Sequence, residues 1–295
     1  MNPIFLKLRP LEIRYYGLMY AISFMIAIYF GKKWAEKKGI NGIIFENFAF
    51  ITIISGLIGA RLYYVLLSLR YYLNNPLDIV AVWKGGLAIH GGIIGGFLGA
   101  LFYSRKYKLN LWDLTDISAP FLLLGQGIGR IGNLMNGEIH GVPTFTPWSI
   151  IFSRQSKFTE WYEMYQSSSL QVQMKFKELV PWGLVFPSGS PAGDEFPNVA
   201  LHPAMLYEMI LNFIGFAILY KIYKKGNQNK GIITMLYIII YGVNRSFVSF
   251  FRAEDLMVMG MRAPHLISIV MFIIAIIGII ILNRKSLHIK NEGRL

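Results

Sequence analysis

Pro264-His265-Leu266-Ile267-Ser268-Ile269-Val270-Met271-Phe272-Ile273-Ile274-Ala275-Ile276-Ile277-Gly278-Ile279-Ile280-Ile281-Leu282 contains no Asp, Glu, Lys or Arg. A helix needs about 20 apolar residues to cross a hydrocarbon core roughly 30 Å thick. This stretch meets that length and is bounded at its C-terminal end by Arg284 and Lys285. Six further segments read the same way, at 15–31, 43–66, 86–103, 112–131, 203–221 and 231–250. The third and fourth are interrupted by glycine and polar residues. The first begins at Arg14-Tyr15-Tyr16-Gly17 and has no small-residue cleavage site, which argues against a removable signal peptide. The chain as a whole is 54% hydrophobic and only 15% charged, against about 25% charged in soluble domains. Its mean hydropathy is +0.46. These features give an integral membrane protein.

Basic residues orient the spans. Lys32, Lys33, Lys37 and Lys38 fall between spans one and two, and Arg105, Lys106 and Lys108 between three and four. Lys221, Lys224, Lys225 and Lys230 lie between five and six, and Arg284, Lys285, Lys290 and Arg294 follow the seventh. The opposite segments are longer and less basic. Positive charge collects on the cytoplasmic side, so the N-terminus is expected outside and the C-terminus in the cytoplasm. The expected fold is an all-α polytopic membrane protein of seven transmembrane helices, one integral membrane domain over 1–295. Residues 142–200, with Trp148, Trp161, Trp182 and several prolines, form a small extracytoplasmic head or lid between spans four and five.

The formal net charge of +13 does not indicate nucleic acid, because the basic residues are scattered over short loops rather than joined in a groove-tracking patch. The absence of cysteine excludes disulfides, thiolate metal sites and a cysteine nucleophile in this chain. The five histidines show no HxxxH or HxH spacing, so no metal is expected, and no cofactor is expected either.

Chemistry is written at the outer ends of the spans. Gly129-Arg130-Ile131-Gly132-Asn133-Leu134-Met135-Asn136-Gly137-Glu138-Ile139-His140-Gly141 closes the fourth span with an arginine, two asparagines and a glutamate. A charge near the bilayer costs on the order of 2.5–3.5 kcal/mol on insertion scales, so packing alone would not place it there. Tyr16, Arg61, His90, His202, Glu208, Arg245 and Arg252 fall at the outer ends of other spans. An isolated arginine there either snorkels or pairs with an acid such as Glu138 or Glu208. Two on different spans at similar depth, Arg130 and Arg245, also suit a phosphate fork, because guanidinium matches phosphate bidentately. The glycines around His90 allow close helix contact through Gly92/Gly96 and Gly95/Gly99. His90 itself is either a hydrogen-bonded structural residue or a general base. Asn133, Asn136 and Glu138 exceed what helix capping requires.

The segment Gly129–Gly141 resembles the signature G-R-x-[GA]-N-F-[LIVMF]-N-x-E-x-x-G of the prolipoprotein diacylglyceryl transferase family, with Leu134 in the phenylalanine position. The resemblance extends over most of the chain. It includes Arg14-Tyr15-Tyr16-Gly17-Leu18-Met19-Tyr20, Gly59-Ala60-Arg61-Leu62, the glycine-rich His90 segment, and His202-Pro203 with Leu206-Tyr207-Glu208. It also includes Tyr241-Gly242-Val243-Asn244-Arg245 and Phe250-Phe251-Arg252. Two departures stand out. Ser249 occupies a position where the family commonly carries glutamate, and Ala253-Glu254-Asp255 replaces Glu-Pro-Asp. A salt bridge of the family is therefore expected to be absent or rewired, with Glu254 as the replacement acid.

The resemblance implies transfer of the diacylglyceryl group of phosphatidylglycerol to the lipobox cysteine thiol of a preprolipoprotein, at the outer leaflet of the bacterial plasma membrane. The product is a thioether, and glycerol 1-phosphate leaves. His90, Arg130, Arg245 and Tyr16 are the expected catalytic residues. Arg130, Asn133, Asn136, Glu138, Gly141, Arg245 and His202 are the expected substrate-binding residues, with Gly141 and the span glycines leaving room for acyl chains and peptide. The rival reading is a lipid or anion transporter that uses the same arginines only to bind. It calls for charged residues at mid-span and for repeats, and neither is evident.

Overall fold

Each of the seven apolar segments is helical in the computed structural model, which describes residues 2–8 and 11–292; Arg9 and Arg294 lie outside the described residues. The helices are α1 (Tyr15–Lys37), α2 (Gly42–Leu67), α3 (Ile89–Lys106), α4 (Leu111–Asn136), α5 (Ala204–Lys225), α6 (Ile232–Phe251) and α7 (Ala263–Glu292). Four are long and apolar enough to cross a membrane: α2, α5, α6 and the Ala263–Arg284 part of α7. Much of their apolar surface is exposed, as on Ile273, Ile274, Ile276, Ile277, Ile280 and Ile281 of α7. Such faces suit a solvent of lipid tails.

The architecture is mostly helical, as expected, with a few short strands. Three two-stranded antiparallel ladders occur among the described residues: Ile4–Leu8 with Leu11–Arg14, Leu184–Val185 with Ala200–Leu201, and Met257–Val258 with Met261–Arg262. The chain divides into two compact units, Met1–Met25 with Ala119–Leu295, and Ile26–Ser118.

In the Ile26–Ser118 unit, α2 and α3 pack backbone to backbone. A Cβ on Gly91 would overlap the carbonyl oxygen of Gly59, and one on Gly95 would overlap that of Ser55. One on Gly99 would lie 2.5 Å from Ser55 Oγ. Gly91, Gly95 and Gly99 therefore form the tight stripe. Gly92 and Gly96 are in ordinary contact, their nearest neighbours at 3.6 Å. The space these glycines leave is filled by α2, not kept for a ligand. Gly95→Val should separate the two helices and cost about 3 kcal/mol or more. The check is the melting temperature of the detergent-solubilised protein, and parental stability would refute this packing.

Arg61 is a structural residue of the same unit. Its guanidinium donates to backbone carbonyls of Ile79 (2.8 Å), Gly86 (2.9 Å) and Ala81 (3.3 Å), and to those of Asp78 and Gly85. It thereby pins the loop that leads into α3. Gly85 and Gly86 adopt φ of 86° and 75°, which is why α3 starts at Ile89 and not at 86. His90 sits in the first turn of α3, exposed, with its ring 6.1 Å from that of Tyr63.

In the other unit, residues 142–200 fold around aromatic rings. Trp161 packs on Phe145, Phe158, Tyr165 and Phe176, and Tyr162 on Phe196. This core continues into Ala204 and Met205 of α5 and Val248 and Phe251 of α6. The head is thus built onto the helix ends that carry the polar residues. Trp161 is a core residue at 7% exposure, whereas Trp148 and Trp182 remain exposed.

Candidate active site

The end of α4 is shaped by its glycines. Gly137 takes φ 67°, a left-handed conformation that favours glycine. Its N–H bonds to Leu134 O at 3.2 Å, and that of Glu138 bonds to Asn133 O at 3.0 Å. This is a Schellman closure, and it turns Glu138 back toward the helix. Gly132 makes room for the Tyr16 ring, whose Cδ1 would lie 2.8 Å from a Cβ there. Gly141 lies in a backbone crossing, where a Cβ would overlap His202 O and stand 2.7 Å from Phe251 O. Its expected role of leaving room for substrate is corrected: the room is taken by the chain itself.

These turns assemble one hydrogen-bonded chain. Asn136 Nδ2 donates to Glu138 Oε1 (3.2 Å), and Tyr16 Oη donates to Glu138 Oε2 (2.6 Å). Asn133 Nδ2 donates to Tyr16 Oη, and Arg130 Nη1 donates to Asn133 Oδ1 (3.0 Å). Arg130 Nη2 forms an ion pair with Glu208, which is 1% exposed on α5. Arg130 Nε remains buried without a partner. Five sequence-predicted residues (Tyr16, Arg130, Asn133, Asn136 and Glu138) are therefore brought together, with Glu208 as the arginine anchor.

Arg245 lies on α6, four residues after Tyr241 and seven before Arg252, on one face of the helix. Arg245 Nη2 pairs with Asp255 Oδ1 at 3.1 Å, and Arg252 Nε lies 3.6 Å from the same oxygen. Burial and the charge of Arg245 push the Arg252 pKa below the usual arginine value, opposed by Asp255 and Glu208, with Arg130 adding a smaller push downward. The three arginines are thus near enough for Arg245 and Arg130 to act on the charge of Arg252. The salt bridge here runs through Asp255, whereas Glu254, the acid expected to take that part, is exposed.

Arg245 and Arg252 open onto a cavity of about 1000 Å³. Its walls include Tyr241 and Asp255, the head residues Phe158 and Tyr162, and Ile267 and Met271 of α7. Cationic groups at one place and an apolar helix face at another suit an anionic amphiphile. Arg245 Nη1 is buried and unpartnered. Arg252 was not among the residues expected to bind, although its seven-residue spacing from Arg245 was the available signal.

His202 is fully buried among Trp148, Tyr207 and Phe251, its Nδ1 3.0 Å from Tyr207 Oη. Burial pushes its pKa down to about 4 from 6.5. The unfolded chain therefore binds the proton first, so the stability held in neutral His202 is full above about pH 6.5 and is lost as pH falls toward 4. Detergent melting temperatures should decline over that interval, and less steeply in His202→Gln; equal slopes would refute this. His90 belongs to the Ile26–Ser118 unit, with Tyr63 as its ring contact.

A family model described as prolipoprotein diacylglyceryl transferase matches residues 3–281. The chain is 56% identical over 277 residues to the phosphatidylglycerol–prolipoprotein diacylglyceryl transferase of Fusobacterium nucleatum subsp. nucleatum, covering 94% of this chain and 96% of that protein. It is 33% identical to the protein of the same name from Prochlorococcus marinus subsp. pastoris, over 98% of this chain and 94% of that one. The Thermotoga maritima protein, again of that name, is 32% identical over 93% of this chain and 83% of its own length. A signature segment folded into one polar network, an arginine-lined cavity with an apolar wall, and matches over nearly the full length lead to one conclusion: the chain belongs to the prolipoprotein diacylglyceryl transferase family and is a membrane-embedded transferase of lipoprotein biosynthesis.

Proposed function

We propose that the protein transfers the diacylglyceryl group of phosphatidylglycerol to the lipobox cysteine thiol of preprolipoproteins. The observation that carries this reading is the cavity in which Arg245 and Arg252 stand at one wall and apolar residues of α7 at another. The phosphate of the lipid sits against Arg245 and Arg252, with Arg130 adding its charge. The acyl chains run along Ile267 and Met271. The acceptor sulfur attacks the glycerol carbon that bears the phosphate, the C–O bond breaks with its electron pair leaving on oxygen, and glycerol 1-phosphate departs. The arginines stabilise the charge that grows on the leaving phosphate. The thiol proton passes to a base relayed through Tyr16. Asn133, Asn136 and Glu138 orient Arg130 and the glycerol headgroup.

In this reading all seven long helices span the bacterial plasma membrane. The four lysine- and arginine-rich segments lie in the cytoplasm, and the head and the site face the outer leaflet. The test supplies purified protein with phosphatidylglycerol labelled in either its diacylglycerol or its headgroup, together with a lipobox peptide. Diacylglycerol label should enter the peptide while headgroup label leaves as glycerol phosphate. Headgroup label on the peptide would refute the reaction.

A further inference from the structure

The loop after α6 folds an acid back onto the helix. Asp255 has a side chain only 3% exposed, yet its Oδ1 lies 3.1 Å from Arg245 Nη2 and 3.6 Å from Arg252 Nε. The Ser249 hydroxyl donates to its other oxygen, Oδ2. Arg245, Ser249 and Arg252 follow one another at spacings of four and three, so all three meet Asp255 from one helix face. Arg262 Nη1 donates to Ser249 O and thereby ties the strand before α7 to the same point. Two guanidinium ions this close repel, and a shared carboxylate offsets the repulsion. Asp255 occupies Nη2 of Arg245 and leaves Nη1 buried and unpartnered, on a side chain that lines the cavity.

We infer that Asp255 is the positioning carboxylate of the Arg245–Arg252 pair, held in orientation by the Ser249 hydroxyl. It aims the free Arg245 N–H at the lipid phosphate. It does not itself bind the phosphate, since both are anionic. This inference rests on the transferase reading.

The test is transfer kinetics in mixed micelles, with phosphatidylglycerol varied and the lipobox peptide held constant. Asp255→Asn should lower kcat/KM for phosphatidylglycerol about tenfold or more, and Ser249→Ala about threefold, because hydrogen bonds to charged groups are the strong ones. Placing the acid on the helix, as Ser249→Glu in the Asp255→Asn background, should recover several-fold over Asp255→Asn alone. A merely structural contact would not be rescued by an acid placed elsewhere. Asp255→Asn within twofold of the parent, or a double variant no better than the single, overturns the proposal. If Asp255→Asn does not purify folded, Ser249→Ala at parental kcat/KM overturns it. A parent that transfers nothing refutes the transferase reading instead.

Discussion

Arg245→Ala is expected to lower diacylglyceryl transfer by on the order of a hundred- to a thousandfold, the loss seen when a preorganised charge stabiliser is removed from a transition state. The fold should survive this change. Asp255 keeps Arg252 and the Ser249 hydroxyl as partners, so no buried acid is left alone. The loss should fall mainly on kcat, because in the proposed reaction charge grows on the phosphate as the C–O bond breaks. Arg245→Lys should recover only part of it: an ammonium is a point charge and cannot hold Asp255 through one nitrogen while presenting another to phosphate. The measurement is initial transfer rate against phosphatidylglycerol concentration, beside a melting curve. A folded Arg245→Ala protein with parental kcat would remove Arg245 from the reaction.

Glu208→Ala acts first on the fold. Glu208 is buried on α5 and pairs with Arg130. Removing one partner of a buried pair leaves the other uncompensated, which costs about 3–5 kcal/mol. The chain from Arg130 through Asn133 and Tyr16 to Glu138 then loses its anchor on α5. The expected result is a clear fall in detergent melting temperature together with loss of transfer. Glu208→Gln keeps an acceptor for Arg130 and should lose less of both. A Glu208→Ala protein that melts like the parent would show that Arg130 is held by other means. The contrast with Arg245→Ala is informative: Arg130 is a member of the structural chain, whereas Arg245 opens onto the cavity.

The long helices were legible because apolar runs end in lysine clusters. The segment 43–66 becomes Gly42–Leu67, and 231–250 becomes Ile232–Phe251. Helix α1 runs on to Lys37, past its apolar end, because lysine is a good helix former and favourable at a C-terminus. The start of α3 was not legible, since the carbonyls of Gly85 and Gly86 are committed to Arg61, a contact between distant residues. The polar chain on α4 was written in one contiguous segment and could be read there. Asp255 could not: it lies past the end of the periodic pattern, and only the fold-back of the loop brings it to Arg245. Glycine content announced close packing, but which glycines touch depends on helix rotation. The tight stripe is Gly91, Gly95 and Gly99, not Gly92 and Gly96.

In the proposed reaction this chain alkylates a thiol with the diacylglyceryl group of an anionic phospholipid bound by Arg245 and Arg252. The direct measurement is the intact mass of a lipobox peptide after incubation with purified protein and phosphatidylglycerol. The predicted result is a diacylglyceryl adduct on the cysteine, absent with a serine-substituted peptide and nearly absent with Arg245→Ala. An unmodified peptide under conditions where the parent protein is folded and phosphatidylglycerol is in excess would contradict the account.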